Sequence, residues 1–230
     1  MPINYFDIEN GVTGFSQKDY QLERHSHFPI EVAFTLSGQL NIKTDKHHYQ
    51  NIHSVIVNSN VPHTFCCRHG KCQLYFIEPH TNIGKHILTY FFKQNEDVIL
   101  IDEIEPEHFK ENHILNFEKH DLSQKILDNR IQRCLNWINE NYTKQELSIA
   151  DIAENVFLSE SRLAHLFKEQ MGISIQQYIL WKRIEMAILR YKKGYSLTDC
   201  AHHSGFADSS HFNKTFKKMF GIYPSFANQK

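Results

Sequence analysis

The stretch that decides the fold of the C-terminal half is SLTDCAHHSGFADSSHFNKTFKKMFG, residues 196–221. An earlier stretch, SIADIAENVFLSESRLAHLFKEQMG at residues 148–172, repeats its pattern. The two copies begin 48 residues apart and end 49 residues apart, so one residue is inserted near residues 204–206. An insertion that leaves both flanks in register indicates a turn, and each copy therefore predicts helix, tight turn, helix.

The second helix of each copy is predicted to present a polar face outward. Ser159 and Asp208 are placed as N-caps, and Gly172 and Gly221 are expected to end the helices in the left-handed conformation. Small, hydrogen-bonding and cationic side chains remain on the outer faces, as a helix entering the ~12 Å major groove of DNA requires. A single face of this kind is more often simply exposed to solvent, but two copies in register favour a DNA-binding function. The candidate DNA-binding residues are Ser161, Arg162, His165, Lys168, Ser209, Ser210, His211, Asn213, Lys214 and Lys217.

A long apolar-rich run, residues 175–192, separates the two copies. At 1.5 Å per residue, a helix of ~18 residues spans about 27 Å. A rod of that length can hold two reading helices about one DNA turn, ~34 Å, apart on one side of the duplex. Trp181, Met186 and Leu189 are expected to pack both copies onto the rod.

The first half has a different pattern, typical of short strands. Its turn residues and its β-branched and aromatic runs predict a sandwich or small barrel, interrupted by one helix. The helical period returns near residue 121, so we place the domain boundary between residues 118 and 119. The chain is predicted to be α+β, with a small N-terminal β-barrel domain (1–118) and an all-α domain (119–230) that holds helix-turn-helix units at about 148–170 and 196–219. The predicted strands are 32–36, 54–57 and 73–77, and the helix is 83–93.

Composition and charge set the class of protein. The chain has 230 residues and no apolar run near the roughly 18 residues that a membrane-spanning helix needs. The first ten residues lack a basic-then-apolar leader, and five cysteines do not form a disulfide framework, so we expect a cytoplasmic protein that does not bind a membrane. The formal net charge of −1 hides an asymmetry, −5 over residues 1–142 and +4 over residues 143–230, which favours a nucleic-acid partner for the second half.

Residues 131–227 resemble the DNA-binding domain of AraC/XylS-type transcription regulators. The most specific part reads Ala201-x3-Gly205-Phe206-x-Asp208-x-Ser210-x-Phe212-x-Lys214-x-Phe216-Lys217-x3-Gly221-x2-Pro224. The resemblance implies two helix-turn-helix units in adjacent major grooves of double-stranded DNA, and a transcription activator that works with RNA polymerase. The family often has Arg where this chain has His165 and Lys214.

The first half resembles the cupin sensor domain that often precedes such a DNA-binding domain. His25-x-His27-x3-Glu31-x6-Gly38 matches the first cupin motif, and His63 is kept from a degenerate second motif. Alternate residues of a strand face one side, so these side chains can converge. Three imidazoles and a carboxylate suit a divalent Zn, Fe, Mn or Ni ion, or line a pocket for a small-molecule effector. The alternative is a polar lining that binds no metal.

Three further possibilities stay open at this stage. The cluster of Cys66, Cys67, His69 and Cys72 suggests either a redox or thiophilic-metal sensor or a turn with incidental thiols. A homodimer through residues 83–93 or the segment before residue 121 is a second possibility. We predict a regulator without catalytic activity. The third possibility is the alternative to this, a metal-dependent cupin oxygenase or isomerase with an appended DNA-binding domain.

Overall fold

The protein is described here by a computed structural model. It describes residues 3–7 (backbone only), 11–92, 96–101, 127–144, 147–220 and 223–224. The chain divides into two compact units, Met1–Ser123 together with Lys217–Lys230, and Gln124–Phe216. The predicted boundary at 118/119 and the predicted helix end at Gly221 lie outside the described residues.

The N-terminal unit is built on one antiparallel sheet. Its strand order is β1-β2-β6-β3-β5-β7, and β4 pairs with β3. Within the described residues the sheet is open, with β1 and β7 at its two ends, and the predicted α+β class is confirmed. The strands are β1 Ile3–Asp7, β2 Val12–His25, β3 Ile30–Lys43, β4 His48–Ile52, β5 Ser54–Val57, β6 His63–Ile77 and β7 Val98–Leu100.

Strands β2, β3 and β6 are much longer than the runs that predicted them. Each has 14 or 15 residues, and β6 lies between the other two. In the second halves of β2 and β3, and in the first half of β6, buried residues lie among exposed or half-buried ones, as a sheet with one solvated face requires. The predicted helix is confirmed as α1, Asn82–Phe91, whose N-cap Thr81 accepts a hydrogen bond from the Gly84 amide.

The C-terminal unit is helical over the described residues. Serine side chains cap four of its helices, each accepting a hydrogen bond from the backbone N–H three residues on. The predicted rod is confirmed as α5, and Ser174 and Gln177 at its start form a reciprocal capping box. The helices are α2 Asn129–Asn141, α3 Ile149–Asn155, α4 Glu160–Met171, α5 Ile175–Lys192, α6 Leu197–His203 and α7 Ser209–Phe220.

Candidate nucleic-acid interface and metal centre

The turns α3–α4 and α6–α7 repeat the same backbone hydrogen bonds. In the first turn, the N–H of Phe157 donates to Glu154 O at 3.1 Å, and that of Leu158 to Ala153 O at 3.0 Å. In the second, Gly205 donates to His202 O at 3.3 Å and Phe206 to Ala201 O at 3.2 Å. Every one of these pairs is offset by 48 residues.

The extra residue of the second copy follows from this correspondence. The N-caps that come next are Ser159 and Asp208, which are 49 residues apart. The inserted residue is therefore Ala207, one position beyond the region that the sequence indicated.

A left-handed residue makes each turn. Gly205 has φ +83°, and a Cβ there would lie 2.8 Å from Thr143 O and 2.9 Å from Arg183 Nε. Glycine is required at this position for both its conformation and its space. Phe157 holds the equivalent place with φ +57°, and 86% of its surface is exposed. The first turn therefore accepts a side chain because that side chain projects away from the domain.

Arg183 of the rod holds the segment against which the second turn packs. It is buried, and its guanidinium donates to the carbonyl oxygens of Tyr142 and Lys144, both at 2.7 Å. Those carbonyls follow α2, and Thr143 between them faces Gly205. Lys182 and Glu185 form a buried ion pair on the same helix. The sequence did not indicate that these three charged residues are buried, because a KRxE segment usually lies on a solvent-exposed helix face.

The candidate DNA-binding residues lie on the outer faces of α4 and α7, opposite buried apolar residues such as Leu163, Phe167, Phe212 and Phe216. All four residues on α4 are exposed, and on α7 the structure leaves Ser210, His211 and Lys214 exposed and Ser209, Asn213 and Lys217 half-buried. This placement is the one that a recognition helix requires; the contacts themselves stay a prediction.

The second candidate site is the histidine cluster, which consists of His25, His27, Glu31 and His63. All four side chains are buried, and one ligand atom from each lies within 4.8 Å of the others. His25 and His63 face each other at the ends of β2 and β6, while Glu31 is on β3. Pairing of β2 with β6 thus brings His25 and His63 together, and Glu31 of β3 and His27, which lies between β2 and β3, complete the cluster of four that the sequence selected.

Backbone carbonyls fix the orientation of all three rings. The Nδ1–H groups of His25, His27 and His63 donate to the carbonyl oxygens of Glu23, Pro29 and Val61, at 2.9, 2.8 and 2.9 Å. Each ring therefore turns its Nε2 atom toward the shared centre. Metal-binding histidines are held in this way by a hydrogen bond on the ring nitrogen that does not bind the ion.

The centre of the cluster needs a positive charge. Glu31 Oε2 lies 2.8 Å from His27 Nε2 and 3.3 Å from His63 Nε2, which are repulsive contacts unless a proton or a cation lies between them. Within the described residues, His25 Nε2 and Glu31 Oε1 make no hydrogen bond at all. A bound cation would satisfy both of these buried atoms.

The electrostatics of the cluster agree with that requirement. Burial, together with the neighbouring His63 and His27, lowers the pKa of His25 to about 3, so its ring is neutral and able to bind a metal. Burial alone would raise the pKa of Glu31, but the hydrogen bonds from His27 and His63 outweigh it and hold that pKa below its ordinary value. The cluster accordingly offers one carboxylate and at least one neutral imidazole.

The cysteine cluster does not assemble into a site. Cys67 and Cys72 are buried, Cys66 is half-buried, and His69 is exposed within β6 with φ +55°. Among the described residues, the group that could hold a metal ion is the histidine cluster alone. Burial raises the pKa of the Cys67 and Cys72 thiols, which keeps them protonated and disfavours a thiolate sensor there.

Known families agree with the helical geometry. Residues 143–229 match the family described as a helix-turn-helix domain. The arabinose operon regulatory protein of Escherichia coli K12 is 34% identical over 100 residues, which is 43% of this chain and 34% of that protein. The probable transcriptional regulator LumQ of Photobacterium leiognathi is 32% identical over 105 residues, 45% of this chain and 39% of that protein. Residues 143–229 are therefore a helix-turn-helix domain, and this part of the chain is similar to the two regulators.

The likeness to these relatives covers only part of them. The matched region spans between a third and two fifths of their own length. The fold is similar to that of ToxT from Vibrio cholerae, with a TM-score of 0.61, 15% identity, and coverage of 95% of this chain and 98% of that one. None of the described helices has both the length and the apolarity to cross a membrane.

Proposed function

We propose that the protein is a sequence-specific DNA-binding transcription regulator. The observation that carries the proposal is the duplicated turn, in which two backbone hydrogen bonds and a left-handed residue recur 48 residues apart. A duplicated reader with polar, partly cationic outer helices is suited to adjacent major grooves. The relatives named above are regulators, which favours this function over the cupin oxygenase or isomerase.

The proposal is tested by selecting binding sites from random duplexes and measuring affinity by fluorescence anisotropy. Asn213→Ala, Lys214→Ala and Arg162→Ala each remove one predicted contact. Loss of a base contact should cost about 1–3 kcal/mol, and loss of a phosphate contact should reduce the salt slope by about one. Arg133→Ala is the control, since Arg133 is exposed on α2, outside both helix-turn-helix units.

Two outcomes would contradict the proposal. The first is that no duplex is enriched by the selection. The second is that the three variants bind the selected site like the wild type and like Arg133→Ala at moderate salt. Either result would leave α4 and α7 as ordinary solvated helices.

The regulator is further proposed to be a cytoplasmic transcription activator that contacts RNA polymerase, to act as a homodimer, and to bind a small effector in its sheet domain. Supporting the effector, one of the similar solved structures is of wild-type ToxT bound to an unsaturated fatty acid. An effector changes DNA binding only by its different affinity for two states of the protein. Transcription from the selected site with purified polymerase, with and without the regulator, tests the sign of regulation.

We also propose that the histidine cluster binds one divalent Zn, Fe, Mn or Ni ion through His25, His27, Glu31 and His63. The hydrogen bond from the Nδ1–H of each ring to a backbone carbonyl, and the unsatisfied His25 Nε2 and Glu31 Oε1, support it. When bound, such an ion supplies a Lewis acid in a buried site. The chain's own residues orient the three imidazoles and exclude water from them.

Metal analysis of the purified protein, before and after dialysis against each of the four ions, tests this site. We expect about one ion per chain and a higher melting temperature with metal, since a ligand that binds the native state stabilises it. His63→Ala and Glu31→Gln should lose both effects, whereas His47→Ala, which alters an exposed histidine, should keep them. Absence of binding, or equal binding by all variants, would show that the cluster is a polar lining without metal.

A further inference from the structure

The sheet domain has a second concave site, which the sequence patterns did not indicate. It is a groove of about 430 Å³ on the solvated face of strands β2, β3 and β6, extending to His48 on β4. That volume is within the ~300–1,000 Å³ usual for small-molecule pockets. The side chains that define this anion groove are Gln21, Asn41, Lys43, Thr64, Cys66 and Arg68.

Strand register assembles the groove. Cys66 on the middle strand pairs with Gln21 on one side and Asn41 on the other, while Thr64 pairs with Lys43. Since side chains alternate along a strand, these residues share the outer face, and the residues between them, such as Phe65 and Ile42, are buried beneath. Residues far apart in sequence thereby form one continuous polar surface.

The polar groups are arranged as donors. Asn41 uses its side-chain oxygen to accept a hydrogen bond from the Asn51 N–H at 2.9 Å, which leaves its amide NH₂ as the group that donates to a ligand. Arg68 donates to Gln21 Oε1 at 3.1 Å, and this bond holds the guanidinium beside the groove. Lys43 is exposed and makes no ion pair with a described residue. A donor-rich surface of this kind complements an acceptor-only ligand.

The balance of charge points the same way. Two cationic side chains, Lys43 and Arg68, line the groove together with one acidic side chain, Glu23. Guanidinium and ammonium groups bind carboxylate and phosphate oxygens through charge-assisted hydrogen bonds. We propose that the anion groove binds a small organic anion through Lys43 and Arg68, with the anion a carboxylate or a phosphate monoester.

The anion groove is separate from the histidine cluster. His63 is buried and faces the cluster, while Thr64, the next residue of β6, lines the groove on the other face of the sheet. A ligand here thus contacts the strand that carries a cluster ligand. The role of the anion as an effector of DNA binding rests on the function proposed above. Binding of the anion to the groove does not depend on that function.

Cys66 provides a reporter within the groove. It is half-buried and the other four cysteines are buried, so a neutral alkylating reagent acts first on its thiol. The rate of Cys66 alkylation in the full-length chain is measured by mass spectrometry against rising inorganic phosphate or succinate, with sodium chloride at matched ionic strength as the reference. At about ten times the dissociation constant, the rate should fall about tenfold.

Variants show whether the protection arises in the groove. Lys43→Met and Arg68→Gln should lose it, and Lys71→Met, which removes an exposed cation from β6 outside the groove, should keep it. The anion with the lower half-saturation concentration identifies the preferred chemistry, carboxylate or phosphate. Unchanged alkylation with both anions, or equal protection in all three variants, would overturn the proposal.

A separate measurement addresses the effector role. Affinity for the selected duplex is measured with and without the protecting anion, in the wild type and in Lys43→Met. A change in the wild type alone supports an effector. Protection of Cys66 without any change in DNA affinity would exclude that role and leave the binding site intact, and failure to bind any DNA would count against the regulator proposal instead.

Discussion

The two helix-turn-helix units share a backbone but differ at the residue that makes the turn. In the second unit Gly205 packs against Thr143 O and Arg183 Nε, where no Cβ would fit. In the first unit Phe157 has the same left-handed conformation with its ring in solvent. The comparison shows that turn geometry is set by hydrogen bonds common to both, whereas the demand for glycine is set by what the turn packs against.

The largest expected effect is at the crowded turn. Gly205→Ala places a Cβ on a residue in the left-handed conformation and makes that Cβ clash with Thr143 O. Both effects are unfavourable, so the free energy of unfolding should fall by about 2–4 kcal/mol. Gly194→Ala is the matched control, because Gly194 has φ +90° but no atom within 4 Å of its added Cβ. Urea denaturation measures both variants. Equal losses would mean that conformation alone, and not packing, selects glycine at the second turn.

A smaller effect is expected at the caps, where a serine oxygen accepts the equivalent hydrogen bond in both units. Ser148 accepts from the Asp151 N–H at 3.2 Å and Ser196 from the Asp199 N–H at 3.1 Å. Ser148→Ala and Ser196→Ala should each cost about 1 kcal/mol in the same urea measurement. A clear inequality between the two would show that the units differ in stability beyond their turns.

The smallest effect is expected at the exposed turn, and its sign is opposite. Phe157→Gly removes the cost of about 1–2 kcal/mol that a non-glycine residue has in the left-handed conformation, but it also gives the unfolded chain more conformational freedom. The free energy of unfolding should therefore rise by up to about 1 kcal/mol. Phe157→Ala keeps the backbone penalty and removes the ring, and it should be nearly neutral. If Phe157→Ala were strongly destabilising, the ring would be packed rather than solvated, and the contrast between the turns would fail.

Some of the fold followed from local sequence alone. The repeat, the rod at residues 175–192, the serine caps and the left-handed Gly172 with φ +74° all appear where the pattern placed them. These features depend on neighbours within one or two helical turns, which the sequence displays directly. The four-residue histidine cluster was also predicted, because its spacing matched a known motif.

Other features lay beyond the sequence because they depend on distant partners. The buried Arg183 makes sense only with the Tyr142 and Lys144 carbonyls, 41 and 39 residues earlier in the chain. The second halves of β2 and β3 and the first half of β6 contain many polar residues, since one face is solvated there, and the sequence therefore did not predict them as strands. The inserted Ala207 could be located only from the hydrogen bonds of the two turns.

By itself, the sequence determined that the second half of this protein contains a duplicated helix-turn-helix unit joined by a long connecting helix, because helix periodicity, caps and repeats are local properties. Only the tertiary structure decided that Lys43, Cys66 and Arg68 share a groove. Strand register, which is fixed by the packing of the whole sheet, brings such residues together and cannot be obtained from their spacing along the chain.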